Sequence, residues 1–130
     1  MRPSVIVIAA IVLLAGLSRP ALAVAPRGAV GAYVWSGDAN ASNPISAQYS
    51  YNSAGAANTV RRTGTGAYEV RLGGVGTAGG MALVNAYGAG VGTCKAVRWN
   101  QAGSDEIVIV SCFNASNAAS DSQFSLVFFM

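Results

Sequence analysis

The chain has 130 residues, of which 52% are hydrophobic, with a formal net charge of +3 and no histidine. Residues 1–23 carry Arg2 and Arg19 but no acid, so without them six bases face five acids and the charge falls to +1. One small domain fits this length, a nucleic-acid binder would need a basic face that is missing, and histidine-based catalysis is excluded.

The first element is an export signal. Arg2 supplies a positive start, an apolar run from Val5 to Leu17 is broken only by Gly16, and Ala21-Leu22-Ala23 gives a small-x-small cleavage pattern. The run is well short of the ~20 residues of a spanning helix. Leu17 stands where a bacterial lipoprotein would carry its lipidated cysteine. Residues 1–23 are thus expected to be a cleaved signal peptide, and residues 24–130 a secreted domain, periplasmic or extracellular. Cleavage after Ala25 and an uncleaved signal anchor are the alternatives; no membrane association is expected once the leader is gone.

The remaining chain holds 19 alanines and 15 glycines. Alanine buries little area, and Val, Ile, Leu and Phe make up only about a fifth of these residues, so a thin core with many tight turns is expected. Period-two alternation then marks the strands in order. Residues 30–35 are a first candidate. In residues 45–52, Ile45, Ala47, Tyr49 and Tyr51 alternate with polar residues and read as a half-buried strand. Residues 58–62 and 68–72 flank Thr63-Gly64-Thr65-Gly66, a hairpin turn with glycine at positive φ. Residues 81–87 and 94–99 follow. Ile107 to Val110 is apolar at every position and belongs in the middle of a sheet. Phe124, Leu126, Phe128 and Met130 alternate to the last residue and read as a buried closing strand. About eight short strands and no helical period give an all-β fold, an antiparallel β-sandwich or jelly roll. The aromatic ending also resembles the closing strand of outer-membrane barrels. Eight membrane strands of ~9–11 residues would nearly exhaust the chain, so a small barrel is the alternative.

Cys94 and Cys112 are the two cysteines, and an exported context favours their pairing. Their midpoint falls in the loop from Asn100 to Asp105. A hairpin about that loop sets the two cysteines opposite each other, with Cα atoms at ~4.5–5.5 Å, inside the range a disulfide tolerates. The same register places Val97 against Ile109 and Trp99 against Ile107.

Motifs that suggest chemistry have simpler structural readings. Gly74 to Gly79 matches G-x-G-x-x-G, but a dinucleotide site needs a helix at its third glycine and a strand is expected there. Acid–base catalysis would fall to Asp38, Glu69, Asp105, Glu106 or Asp121; Asp38 and Asp105 sit in expected loops, where aspartates form turns. No catalytic set, metal loop or cofactor motif emerges. Arg61, Arg62 and Arg71 read as edge protection on a hairpin. Trp35 and Trp99, with Tyr33, Tyr49, Tyr51, Tyr68 and Tyr87, would stack on sugars if exposed, yet most sit at an inward phase and core packing is expected. Asn40-Ala41-Ser42 and Asn114-Ala115-Ser116 are glycosylation acceptors only in a eukaryotic secretory route.

Several of these segments together resemble a family of bacterial exported β domains with no established activity. The order G-x-Y-x-V-x-L, A-Y-G, C-K-V, W, V-x-C-F, D-S-x-F is matched by Gly66 to Leu72, Ala86-Tyr87-Gly88, Cys94-Lys95-Ala96-Val97, Trp99, Val110 to Phe113 and Asp121 to Phe124. It covers about residues 32–129. Ala96 is inserted between the lysine and valine, and residues 114–120 are alanine-rich where the pattern has a glycine turn. The resemblance implies export and a β fold, and says nothing of mechanism.

The expected function is a non-enzymatic secreted or surface-associated structural or binding module, with an extracellular protein or a glycan as partner and no cofactor or metal. Two alternatives use particular residues. A small inhibitor or effector would dock through the loop from Asn100 to Asp105, and a carbohydrate-binding module would use Trp35 or Trp99. The candidate ligand residues are therefore Trp35, Trp99, Asp38 and Asp105.

Overall fold

A computed structural model describes residues 29–37, 39–40, 43–44 and 47–130. The expected signal peptide, Asp38 and Ile45 lie outside the described residues. The rest is built from strands: β1 (Val30–Ser36), β2 (Asn43–Pro44), β3 (Tyr51–Asn52), β4 (Asn58–Gly64), β5 (Ala67–Leu72), β6 (Met81–Ala86), β7 (Thr93–Ala102), β8 (Asp105–Phe113) and β9 (Phe124–Phe129). They form two antiparallel sheets. Sheet A has the order β3-β1-β9-β6 and sheet B the order β2-β4-β5-β8-β7. Among the described residues these are two separate ladders, with no pairing that closes them into the ring of strands the barrel alternative requires.

Alternation explains how the sheets meet. Ala32, Val34, Phe124, Leu126, Phe128 and Ala82 face inward from sheet A, and Val60, Tyr68, Val70, Leu72, Val108, Val110 and Cys112 face them from sheet B. A β-sandwich core results, with each inner face supplying every second residue. β9 pairs with β1 on one side and β6 on the other, so the closing strand is central and buried as expected. β8 lies between β5 and β7, which accounts for the unbroken apolar run from Ile107 to Val110.

Two strand expectations need correction. Residues 47–52, the described part of the expected 45–52 strand, are not one strand, because the chain changes sheets: β2 pairs in sheet B, β3 in sheet A, and Ala47–Tyr49 makes a single 3-10 turn before β3. The β7–β8 hairpin sets Cys94 opposite Cys112 as expected, bridged, with Cα atoms 4.1 Å apart. Beyond the bridge, however, the register shifts between Ala96 and Arg98, so that Arg98 opposes Ile109 and Trp99 opposes Val108. Val97 is the extra residue of a β-bulge. The hairpin also runs on to Ala102 and Asp105, shrinking the expected six-residue loop to Gly103-Ser104, with Gly103 at φ +66°. Likewise β4 and β5 run on to Gly64 and Ala67, leaving Thr65-Gly66 as the turn.

Candidate functional site

The four strands of sheet A contain no Asp, Glu, Lys or Arg, whereas β4, β5, β7 and β8 of sheet B carry Arg61, Arg62, Glu69, Arg71, Lys95, Arg98, Asp105 and Glu106. Charge is thus segregated to one layer. The outer face of sheet A has clustered rings at one end and mainly aliphatic side chains, with Phe129, at the other. Residues opposed in a ladder share a face, so Tyr51, Tyr33, Val127 and Leu83 form one row across it, and Trp35, Ser125 and Asn85 the next.

Four rings make an array along the β1–β3 edge. Tyr33 and Tyr51 oppose each other in the ladder and stack at 5.7 Å between centroids, with planes 23° apart. One alternation further, Trp35 meets Tyr49 at 4.6 Å and 58°. Tyr87 closes the array from the other side, stacked on Trp35 at 5.6 Å and 25°. Tyr33, Trp35, Tyr49 and Tyr51 are each 38–46% exposed. The expectation of core packing is therefore wrong for these four. It holds for Tyr68, which is buried and packs on Phe124 at 5.1 Å. Period two correctly grouped the residues that share a face, but inward and outward faces have the same period.

The array is held from beneath. The Tyr87 hydroxyl donates to the Ser36 carbonyl at 3.1 Å, and the Tyr87 amide donates to the Gln123 carbonyl at 3.1 Å. Burial pushes the Tyr87 hydroxyl pKa up, against a smaller lowering effect of a hydrogen bond with Trp35. The Gln123 side-chain amide donates to the Gly37 carbonyl. Gly37 matters because a Cβ there would stand 2.9 Å from two atoms of the Trp35 indole, so a side chain at this position would push the ring away. On the other side, β3 has just two residues, yet it is anchored. Asn52 Nδ2 donates to Asn58 Oδ1 and the Gly73 carbonyl, both at 2.8 Å, and Asn58 Nδ2 donates to the Tyr51 carbonyl at 2.9 Å. Rings fixed this way lose little side-chain freedom on binding a ligand.

The other candidates are not gathered here. Trp99 also departs from the expected core packing, being 37% exposed on β7, the edge strand of the opposite sheet. Asp105 Oδ2 accepts from Arg71 at 2.7 Å and Oδ1 from the Gly74 amide at 2.9 Å. These two partners, the Gly74 amide foremost, hold its carboxyl below its ordinary pKa. It is a turn anchor. Arg61 pairs with Glu69 at 2.9 Å and Arg62 with Asp121 at 2.9 Å, so the three arginines do not form a bare basic patch. Asp121 Oδ1 also accepts from the Gly66 amide at 2.8 Å, and the Tyr68 hydroxyl donates to the Ala39 carbonyl at 2.7 Å. This network ties the β4–β5 turn to the segment before β9. The G-x-G-x-x-G glycines lead into β6, a strand, so no helix N-terminus faces them.

Trp35 is a ligand candidate by sequence, whereas the tyrosines around it and Gly37 are not singled out by it. A usable signal was present. Tyr33/Trp35 and Tyr49/Tyr51 are two outward pairs of equal spacing, able to zip together about one reversal of the chain. No family model matches this chain, and no curated protein or solved structure matches it either.

Proposed function

We propose that this chain is an exported, non-catalytic binding module that holds a glycan against the aromatic end of sheet A. The observation that carries this reading is the ring array on an uncharged face, with Trp35 seated on Gly37 between Tyr49 and Tyr87. Sugar rings present C–H groups that pack on aromatic faces, while their hydroxyls need amide and hydroxyl partners at the rim. Asn85 and Ser125 stand in the same row as Trp35 and supply such groups. A formed disulfide, with no helix among the described residues long and apolar enough to cross a membrane, is compatible with export.

Affinity gel electrophoresis over a panel of soluble polysaccharides tests this reading. At least one polysaccharide should retard the native protein, and Trp35→Ala should abolish the retardation while Trp99→Ala leaves it intact. Equal retardation of Trp35→Ala and the native protein, or none by any polysaccharide, would refute it.

A second reading rests on the β7–β8 hairpin, whose residues 99–104 are all exposed and whose two-residue turn is stapled at the far end by the disulfide. Such a rigid tip suits docking into an extracellular enzyme. Capture of a hydrolase by the native protein but not by Trp99→Ala would favour it.

A further inference from the structure

We infer that the aromatic end of sheet A takes two consecutive units of a neutral glycan chain running along β1. This inference rests on the glycan reading above and specifies the class of ligand. Two observations carry it, the spacing of the rings and the placement of charge.

The rings fall into two sets rather than one. Trp35 with Tyr49 and Tyr87 forms the first, and Tyr33 with Tyr51 the second. Their anchor residues on β1 are two positions apart, which at ~3.4 Å per residue puts the sets about 7 Å from each other along the strand. That separation suits adjoining pyranose rings of one chain, each on its own platform. Tyr33 and Tyr51 are a cross-strand pair, whereas Trp35 is flanked by Tyr49 from the 3-10 turn and by Tyr87 from the end of β6. Beyond Tyr33 the next row is Val30, Phe129 and Met81, in which one half-buried ring stands between two exposed aliphatic side chains, and the paired rings stop.

The charge pattern selects the ligand. An acidic polysaccharide would be met by Lys or Arg beside the stacking rings. The described cations instead lie on sheet B: Arg61, Arg62 and Arg71 are paired with acids, Lys95 lies over the Phe113 ring at 5.4 Å, and Arg98 stands on the β7 edge strand. Sheet A's strands offer amide and hydroxyl groups only. A second copy of the chain fits this face less well. Four strands at ~4.8 Å and about six residues at ~3.4 Å give a footprint on the order of 400 Å². A standard interface needs ~800 Å² from each partner.

The test is calorimetric titration of the native protein with neutral oligosaccharides of one to six units, drawn from whichever polysaccharide retards it on the gel, and with oligogalacturonates of matched length. Affinity should rise at least tenfold from the monosaccharide to the disaccharide and change little beyond the trisaccharide. It should not weaken in high salt, and oligogalacturonates should not bind. Tyr33→Ala should remove the gain from the second unit, while Tyr33→Phe, which keeps the ring, should retain it. Equal affinity for one and two units, tight binding of oligogalacturonates, or a Tyr33→Ala protein that keeps the full gain would overturn the inference while leaving a Trp35-dependent glycan site standing. Loss of all binding at every length would instead sink the glycan reading itself.

Discussion

Removing the disulfide tests how the β7–β8 hairpin is held. Cys94 and Cys112 are separated by 18 residues, both sit in the core, and β7 is the outer strand of sheet B. In the chain-entropy model a loop of that length contributes about 3 kcal/mol by restricting the unfolded chain. For a domain of this size each kcal/mol moves the melting temperature by roughly 4–8 °C, so reduction should lower it by about 12–24 °C. The loss should also be local. β7 is paired on one side only, and its register depends on where the Val97 bulge sits. Without the bridge the bulge is free to migrate, and each one-residue slip turns alternate side chains to the wrong face. The assay is a thermal melt of oxidised and reduced protein, with hydrogen exchange on both. Amides of β7 should lose protection before those of β5 and β9. A shift below about 5 °C, or uniform loss of protection across both sheets, would refute the reasoning.

Three further outcomes follow from named residues. Glu106 is fully buried on β8, with Oε2 accepting the Thr77 amide at 3.2 Å and Oε1 without a hydrogen-bond partner among the described residues. Burial raises its pKa, so the stability it contributes is complete below the ordinary glutamate range and is lost as pH rises through the raised value. Asp105 and Asp121 have lowered values and act the other way, losing their contribution only as pH falls below the ordinary aspartate range. Glu106→Gln should therefore gain in melting temperature over the native protein as pH increases from about 4 to about 8; a constant or shrinking difference would contradict this. Gly66 has φ +64°, and a Cβ there would lie 2.4 Å from the Cys112 carbonyl oxygen and 2.7 Å from the Ser120 nitrogen. Gly66→Ala should cost at least about 2 kcal/mol in chemical denaturation, since backbone strain and a clash with fixed backbone add. Gly37→Val should leave the fold intact but displace the Trp35 indole, visible as a changed tryptophan emission spectrum and lost retention on a glycan gel; unchanged emission would show that the ring does not rest on Gly37.

The sequence was most informative where period two coincided with obvious turns. β4, β5, β8 and β9 were legible because Tyr68/Val70/Leu72 and Phe124/Leu126/Phe128 alternate cleanly, and the cysteine pairing followed from simple opposition across a hairpin. The Val97 bulge was not legible, since nothing in Ala96-Val97-Arg98 marks an extra residue on an edge strand. The crossing from β2 in one sheet to β3 in the other was hidden by alternation that continues through the 3-10 turn of Ala47–Tyr49. The aromatic face was half legible. Exposed rings on a thin-cored sandwich look like core residues in sequence, because only the pairing of strands decides which layer of alternate residues meets the opposite sheet. The lack of charge on sheet A becomes visible once the strands are sorted into sheets, since they are scattered along the chain.

The proposed glycan site contains Trp35 and not Trp99. The chain has two tryptophans, hence two indole N–H resonances, and each reports on a different sheet. Titration of labelled protein with a neutral oligosaccharide, followed by NMR, should move the Trp35 indole resonance and the Tyr33 and Tyr51 amides to saturation while the Trp99 resonance stays fixed. Movement of the Trp99 resonance with the Trp35 resonance unchanged would contradict the account.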